Sequence, residues 1–387
     1  MVRLGDVCEI LNGYAFKSAN YTDKGVRIIR ISNVQKGYIE DNMPAFYPFD
    51  DINVAKYELF EGDLLLSLTG NVGRVGRLDK KFLPAALNQR VACIRIKDNT
   101  ALDKSFLFDF LNSDSFEQKC ILSSKGVAQK NMSTEWLKDY KIPLPPLDEQ
   151  RKIAAVLDKV SDLIAKRRRQ LDKLDELVKS RFIEMVGDCV VNPKGWKTKC
   201  LEDIAEVGSS KRVFIEELQE AGIPFYRGTE VGALAEGKQI SPELFITEEH
   251  YTELCKATGA PQIGDLLMPS ICPDGRIWVV NTEDPFYFKD GRVLWVHAID
   301  NSYNPVFLLY TLKDRIMADY SSIASGTTFA ELKIFALKKC RIFDVPIALQ
   351  NEFAAFVAQT DKSKLAIQKS LENLEILKKA LMQKYFG

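Results

Sequence analysis

No phosphate-cradling Gly-x-x-x-x-Gly-Lys-Ser/Thr segment occurs in these 387 residues, and no Gly-x-Gly-x-x-Gly follows a strand-like run. There is no Gly-x-Ser-x-Gly elbow, and no Asn/Asp-Pro-Pro-Tyr/Phe segment to hold a flipped base. Acidic residues are plentiful, but no Asp…Glu-x-Lys arrangement stands out. These absences argue against catalysis by this chain alone. Cys-x-x-Cys spacing is also missing. The eight cysteines are scattered, several of them (Cys93, Cys255, Cys340) in apolar stretches, so reduced structural thiols are expected. Two histidines, His250 and His297, are too few for a zinc site with such cysteines, and no metal is expected. His297 falls in the strand-like run 293–299 and is expected to be structural. No apolar run approaches the ~18 residues of a membrane span. Met1-Val2-Arg3-Leu4-Gly5-Asp6 has no apolar signal core, so a cytoplasmic location is expected. Net charge is absent too, with 53 basic against 53 acidic residues. A surface that grips polyanions everywhere is thereby excluded. One concave DNA-binding face is not, because local fields matter more than the sum.

What the chain does have is a copy of itself. Leu4-Gly5-Asp6-Val7 returns as Leu201-Glu202-Asp203-Ile204, an offset of 197. Gly62-Asp63-Leu64-Leu65 returns as Gly264-Asp265-Leu266-Leu267, and Gly73-Arg74 as Gly275-Arg276, both at 202. Gln150, Ala154, Leu171, Leu174 and Gly187 match Gln350, Ala354, Leu371, Leu374 and Gly387 at 200. An offset that drifts this little over half a chain means duplication. Two copies imply pseudo-two-fold symmetry, which suits a target that comes in two halves.

Each copy opens with a mixed part. Val26–Ile31, Asp63–Leu68 and Val91–Ile96 are rich in Val, Ile and Leu and predict strands, with Phe106–Cys120 as a helix. The second copy repeats the order, with Ile223–Tyr226, Asp265–Met268, Ile277–Val280 and Val293–Ile299 as strands and Phe307–Tyr320 as the helix. Each copy then closes in a long helix. Pro143, Pro145 and Pro146 end the first mixed part, and Asp148 is the expected N-cap. Heptad positions then hold Ile153, Leu157, Val160, Ile164, Arg167, Leu171, Leu174, Val178 and Arg181. Adding 200 gives Phe353, Val357, Thr360, Lys364, Ile367, Leu371, Leu374, Lys378 and Leu381. Seven of nine are apolar in the first set and six of nine in the second, so each seam is the natural partner of the other. A duplicated unit paired antiparallel has two-fold symmetry, so antiparallel pairing is expected. About 38 residues make a rod of roughly 57 Å. The partition is therefore 1–147 (first mixed domain), 148–187 (first helix), 188–347 (linker and second mixed domain) and 348–387 (second helix). The fold class is α+β: two tandem homologous mixed domains joined by an antiparallel coiled coil.

Candidate binding residues lie on three repeated polar loops. The first is Thr69-Gly70-Asn71-Val72-Gly73-Arg74, matched by the segment from Ser270 to Arg276. Its glycines permit tight turns. Thr69, Asn71, Arg74 and Arg276 are candidates, and either arginine suits a phosphate or the O6/N7 edge of guanine. The second loop, 123–131, contains Lys125, Gln129, Lys130 and Asn131 and is matched by 324–329 with Ser325, Thr327 and Thr328. These residue types reach base edges and phosphates. The third pairs Arg30, Asn33 and Lys36 with Arg227 and Glu230 at equivalent strand ends. Solvated turns, drifting loops and surface ion pairs are the ordinary alternatives at all three places. The mid-helix run Lys166-Arg167-Arg168-Arg169 is ordinarily a solvated face, or a contact for DNA backbone or an acidic partner.

The chain resembles the specificity subunit of type I restriction-modification systems over essentially its whole length. The resemblance rests on the duplication, the Gly-Asp-Leu-Leu strand with its Gly-rich loop, the Gly-x-x-Gln at Gly126–Gln129, and Pro-Leu-Pro-Pro-Leu-Asp-Glu-Gln at 143–150. The second copy departs from it: Val345-Pro346-Ile347-Ala348-Leu349-Gln350 keeps one proline and the glutamine, and Phe329 stands where Gln129 stood. The resemblance implies two target recognition domains that each recognise one half of a split double-stranded DNA sequence. It implies a helical pair that sets the spacer and docks two methyltransferase subunits, which bind S-adenosylmethionine. It also implies restriction subunits that use ATP and Mg, with no cofactor and no catalysis in this chain. The alternatives are a coiled-coil scaffold without DNA specificity, or an enzyme with an unrecognised site.

Overall fold

The computed structural model describes residues 1–97, 102–124, 131–325 and 330–387. The chain divides into two compact units, residues 1–169 with 367–387, and residues 170–366. Each unit contains one mixed domain and one portion of each long helix.

In the first unit, the strand Leu64–Ser67 opens with three consecutive leucines rather than an alternating pattern, which marks a strand covered on both faces. It lies inside an antiparallel sheet ordered Cys8–Asn12, Val91–Ile96, Leu64–Ser67, Val75–Arg77. Leu64 and Leu66 face a core with Phe106, Phe110, Phe116 and Leu157, while Leu65 faces a second core with Ile29, Leu59 and Leu87. The second core is backed by another four-stranded sheet, in which Val26–Ile29 and Ala85–Leu87 run parallel. In the second unit Leu266–Pro269 pairs with Val293–His297 and Trp278–Val279 in the same antiparallel manner. Ile223–Tyr226 pairs in parallel with Tyr287–Phe288. His297 ends its strand stacked on Trp295, 3.8 Å between ring centroids.

Several boundaries differ from expectation. Phe106–Cys120 is two helices, Lys104–Leu111 and Asp114–Ser123. The Ser113 hydroxyl accepts from the Phe116 amide at 3.2 Å and starts a new helix, because a capping serine outcompetes continuation. Val26–Ile31 stops at Ile29, and Arg30 opens a 3-10 turn, Ile31–Asn33. The equivalent place in the second unit carries a full helix, Gly228–Ala235. The first long helix is Leu147–Met185, so Asp148 lies within its first turn instead of capping it. The carbonyl of Pro146 accepts the Glu149 and Gln150 amides, and Asp148 and Glu149 face the positive end of the helix dipole. The second long helix is Ile347–Phe386.

The two long helices pair antiparallel in each unit. In the first, Ile153 and Leu157 share a core with Leu381, Met382 and Tyr385, while Arg167 donates to the Ser370 hydroxyl at 3.2 Å. Arg168 pairs with Glu375 at 2.8 Å, so part of the basic run serves helix pairing. In the second, Val178 and Phe182 pack with Phe353 and Val357, Lys364 pairs with Asp175 at 2.5 Å and Arg181 with Glu352 at 3.0 Å. Ile153, Leu157, Val160, Ile164, Phe353 and Val357 are buried. Leu171, Leu174, Ile367, Leu371, Leu374 and Leu381 are half-buried. No helix among the described residues is long and apolar enough to cross a membrane.

Candidate nucleic-acid interface

The repeated Gly-Asp-Leu-Leu motif is a turn device. Asp63 accepts from the Phe60 amide at 2.9 Å, and Asp265 from the Gln262 amide at the same distance. Each carboxylate has a second partner from the neighbouring strand. For Asp63 this is the Arg95 guanidinium (2.6 and 3.0 Å), and for Asp265 the Trp295 indole N–H (2.9 Å). Burial raises the Asp265 pKa against those hydrogen bonds. The motif therefore fixes the start of the strand whose far end carries the Gly-rich loop.

That loop has the same frame in both units. Gly73 and Gly275 have φ of +87° and +64°. A Cβ on either would come within 2.8 Å of a following-helix side chain, Cys120 or Lys313 respectively. Leu68 N–H donates to the Arg90 carbonyl at 3.0 Å, and Ser270 N–H to the Arg292 carbonyl at 2.9 Å. The Leu68 carbonyl accepts from Met132, and that of Ser270 from Leu332. Three sequence-distant segments thus meet at one place in each unit.

Side chains complete the convergence in the first unit. Arg74 Nη1 donates to Gln35 Oε1 at 2.8 Å, joining the first and third loops. Thr69 donates its hydroxyl to Asn131 Oδ1 at 2.8 Å, joining the first and second. Lys36 is paired with Asp114 and Glu117, each at 2.7 Å. Arg30 contacts the Met43 carbonyl and lies 5.9 Å from the Tyr21 ring centroid. Asn71 is exposed, and its carbonyl accepts from Ser67 Oγ.

Three candidates have internal duties instead. Asn33 is buried, accepts from the Arg30 amide at 2.8 Å, and donates to the Glu40 carbonyl (2.9 Å) and Asp41 (3.0 Å). Its side-chain amide closes the turn. Thr69 is likewise buried, its hydroxyl spent on Asn131. Glu230 caps its helix by accepting the Arg227 amide at 2.8 Å and binds the Arg227 guanidinium as well. Burial opposes its ionisation, but hydrogen bonds from Arg227 and Thr229 hold its pKa down to about 2. The carboxylate at that place is engaged by its own helix start. Lys125, Gln129, Lys130, Thr327 and Thr328 lie outside the described residues, as does the Gly-x-x-Gln segment.

The second unit holds a cleft of about 410 Å³. Arg227, Arg276, Lys289 and Arg292 line it together with Thr229 and Ser270. Arg227 also pairs with Glu243 at 3.2 Å, Arg276 with Asp274 at 2.9 Å, and Arg292 with Glu331. Exposed Ser325 sits on the short strand Ala324–Ser325, whose partner is Glu331–Leu332. Lys289 and Arg292 escaped the sequence reading. The signal was present for Arg292, since Arg90 stands 202 residues before it, in the register of Gly73 and Gly275. Among the described residues no cluster of His, Cys, Asp and Glu is arranged to hold a metal ion.

A family model described as type I restriction modification DNA specificity domain matches residues 1–176 and again 193–377. The chain belongs to this family. It is 33% identical over 186 residues to the type I restriction enzyme MjaVIII specificity subunit of Methanocaldococcus jannaschii, covering 46% of this chain and 43% of that one. It is 28% identical over 187 residues to the EcoBI specificity subunit of Escherichia coli, covering 48% and 37%. The alignments therefore span less than half the length of these two curated relatives. A putative specificity subunit of the MjaX enzyme, also from M. jannaschii, is 24% identical over 412 residues, covering 98% of this chain and 90% of that one. Among solved structures, the type I restriction-modification S subunit from M. genitalium aligns with a TM-score of 0.53 at 16% identity, covering 100% and 95% of the two chains. A chain from work on complex assembly and conformational transition of the type I R-M system aligns with a TM-score of 0.58 at 19% identity, covering 100% and 96%. At these identities the likeness concerns the fold of this family member.

Proposed function

We propose that this family member is the DNA-recognition subunit of a type I restriction-modification complex, with no catalysis of its own. Each mixed domain recognises one half of a bipartite double-stranded target. The observation that carries this is the duplicated meeting of three polar loops, at Arg74 and Gln35 in one unit and around Arg276 in the other. Loop side chains contact base edges while phosphate contacts fix register. Among the described residues, those placed to do so are Arg30, Lys36, Asn71, Arg74, Arg90 and Asn131 in the first unit, and Arg227, Arg276, Lys289, Arg292 and Ser325 in the second. Glu230 and Thr69 support the loops from behind.

In this reading the paired helices set the unspecified spacer and dock two methyltransferase subunits, which bring S-adenosylmethionine. Restriction subunits, which use ATP and Mg, complete the complex in the cytoplasm. The balanced charge of the chain, 53 against 53, fits a subunit whose partners supply much of the phosphate grip. The test is co-expression with the neighbouring methyltransferase followed by genome-wide mapping of methylated adenines. A single bipartite motif that disappears when this chain is deleted is the expected result. A methylation pattern indifferent to the deletion favours the protein-interaction scaffold.

A further inference from the structure

The cleft of the second unit holds an arginine with an unusual surrounding. Arg276 Nε lies 3.0 Å from Asp274 Oδ1 and 2.9 Å from Oδ2. The carboxylate thus occupies the Nε side of the guanidinium. Nη1 lies 3.6 Å from Glu236 Oε1, too far for a good hydrogen bond. The terminal Nη edge is left under-used, and the side chain remains 37% exposed. Gly232 makes room for it, since a Cβ there would come within 3.2 Å of Nη1. Arg276 is therefore oriented by one residue and given space by another.

Two ligands suit a guanidinium in a DNA-binding cleft, a phosphate or a guanine edge. A phosphate at the Nη edge would sit close to the carboxylates of Asp274 and Glu236, and like charges repel in a partly desolvated cleft. A guanine edge carries no net charge. It presents two acceptors, O6 and N7, to the paired Nη donors of one arginine. The neighbouring carboxylates are then tolerated, and Asp274 restricts the rotation of the reading side chain. The geometry points to Arg276 as the guanine-reading residue of the second unit, with Asp274 as its positioning residue. This inference rests on the reading of that unit as a DNA-recognition domain.

The corollary is that the half-site recognised by the second unit contains a G·C pair. In the complex with its methyltransferase, Arg276→Ala leaves one position of one half-site degenerate in the methylation map and leaves the other half-site intact. Affinity for the target duplex falls about tenfold to a hundredfold at constant salt. Asp274→Asn keeps the arginine and weakens discrimination at the same position. The wild-type complex is also tested on duplexes in which each guanine of the half-site is replaced singly by 7-deazaguanine, which removes N7. One replacement weakens binding in the wild type and has no further effect in Arg276→Ala. The wild-type half of this arm does not depend on a variant that folds.

A half-site without G·C overturns the inference. So does an unchanged motif in Arg276→Ala, 7-deazaguanine tolerance at every position, or a uniform loss across sequences with a reduced salt slope, which marks a phosphate contact. If deleting the whole chain leaves methylation unchanged, the reading of the chain as a recognition subunit fails instead.

Discussion

Gln150 and Gln350, 200 residues apart, make the same pair of hydrogen bonds. Gln150 Oε1 accepts from the Asp103 amide at 2.8 Å, and its Nε2 donates to the Pro145 carbonyl at 2.8 Å. Gln350 Oε1 accepts from the Asn304 amide at 2.9 Å, and its Nε2 donates to the Val345 carbonyl at 2.7 Å. Both glutamines are fully buried. Asp103 and Asn304 are the N-caps of the helices Lys104–Leu111 and Pro305–Ile323. Each glutamine thus ties the first turn of a long helix to the first turn of a domain helix. The glutamine of the proline-rich motif is the clasp between coil and domain.

Gln150→Ala and Gln350→Ala each leave a buried amide without its acceptor. Each is expected to cost about 1–3 kcal/mol. Lying in separate compact units, the two losses add in the double variant. Denaturant unfolding with a constant m-value checks this, and strong non-additivity contradicts it.

Asn33→Ala is expected to lower stability by a similar amount, about 1–3 kcal/mol, because the Arg30 amide and the Glu40 carbonyl lose their partner. Any loss of DNA binding then follows the fraction unfolded. A variant that stays as stable as wild type yet changes the methylated motif would return Asn33 to the ligand-facing set.

Asp109 is buried, and its Oδ2 has no hydrogen-bond partner. Burial raises its pKa to about 7, helped by Asp158 and Asp103 and opposed by Lys378 and Arg77. A carboxyl raised in the folded state stabilises most when both states are protonated. That contribution declines as pH rises from about 4 and is gone above about 7. Asp109→Asn removes the charge without changing shape. It is expected to raise stability at pH 8 by up to about 4 kcal/mol and to leave stability at pH 4 nearly unchanged. Melting temperatures of both proteins across that range decide it, and parallel pH profiles would count against the assignment.

One extra heptad in each long helix, placed beside Arg169 and beside Ile367, keeps the seam in register. Seven residues add about 10 Å of helix. At about 3.4 Å per base pair this corresponds to roughly three base pairs. The methylated motif is expected to keep both half-sites and change its spacer. Sites with an unchanged spacer would end the idea that the helices measure it.

Gly73 and Gly275 show why the repeated scaffold was legible from residues alone. A glycine at positive φ against a helix has no substitute, so it recurs at a fixed offset. The heptad seams were equally plain, because a 3.5-residue apolar period admits one pairing face. The buried strand Leu64–Ser67 and the two long helices followed from local pattern for the same reason. Asn33, Thr69 and Glu230 show where pattern ran out. Each has the residue type of a DNA contact, yet Glu230 is engaged by its own helix start through Arg227, Asn33 by the turn that returns Glu40 and Asp41 to it, and Thr69 by a distant loop. Thr69 meets Asn131, 62 residues away, and only the tertiary fold brings them within 2.8 Å. The amino-acid sequence determined the duplication, the strands, the helices and the candidate loops, because these depend on short-range spacing. Tertiary structure alone decided which polar groups face outward and which are spent inside, because a hydrogen bond is assigned by distance in space.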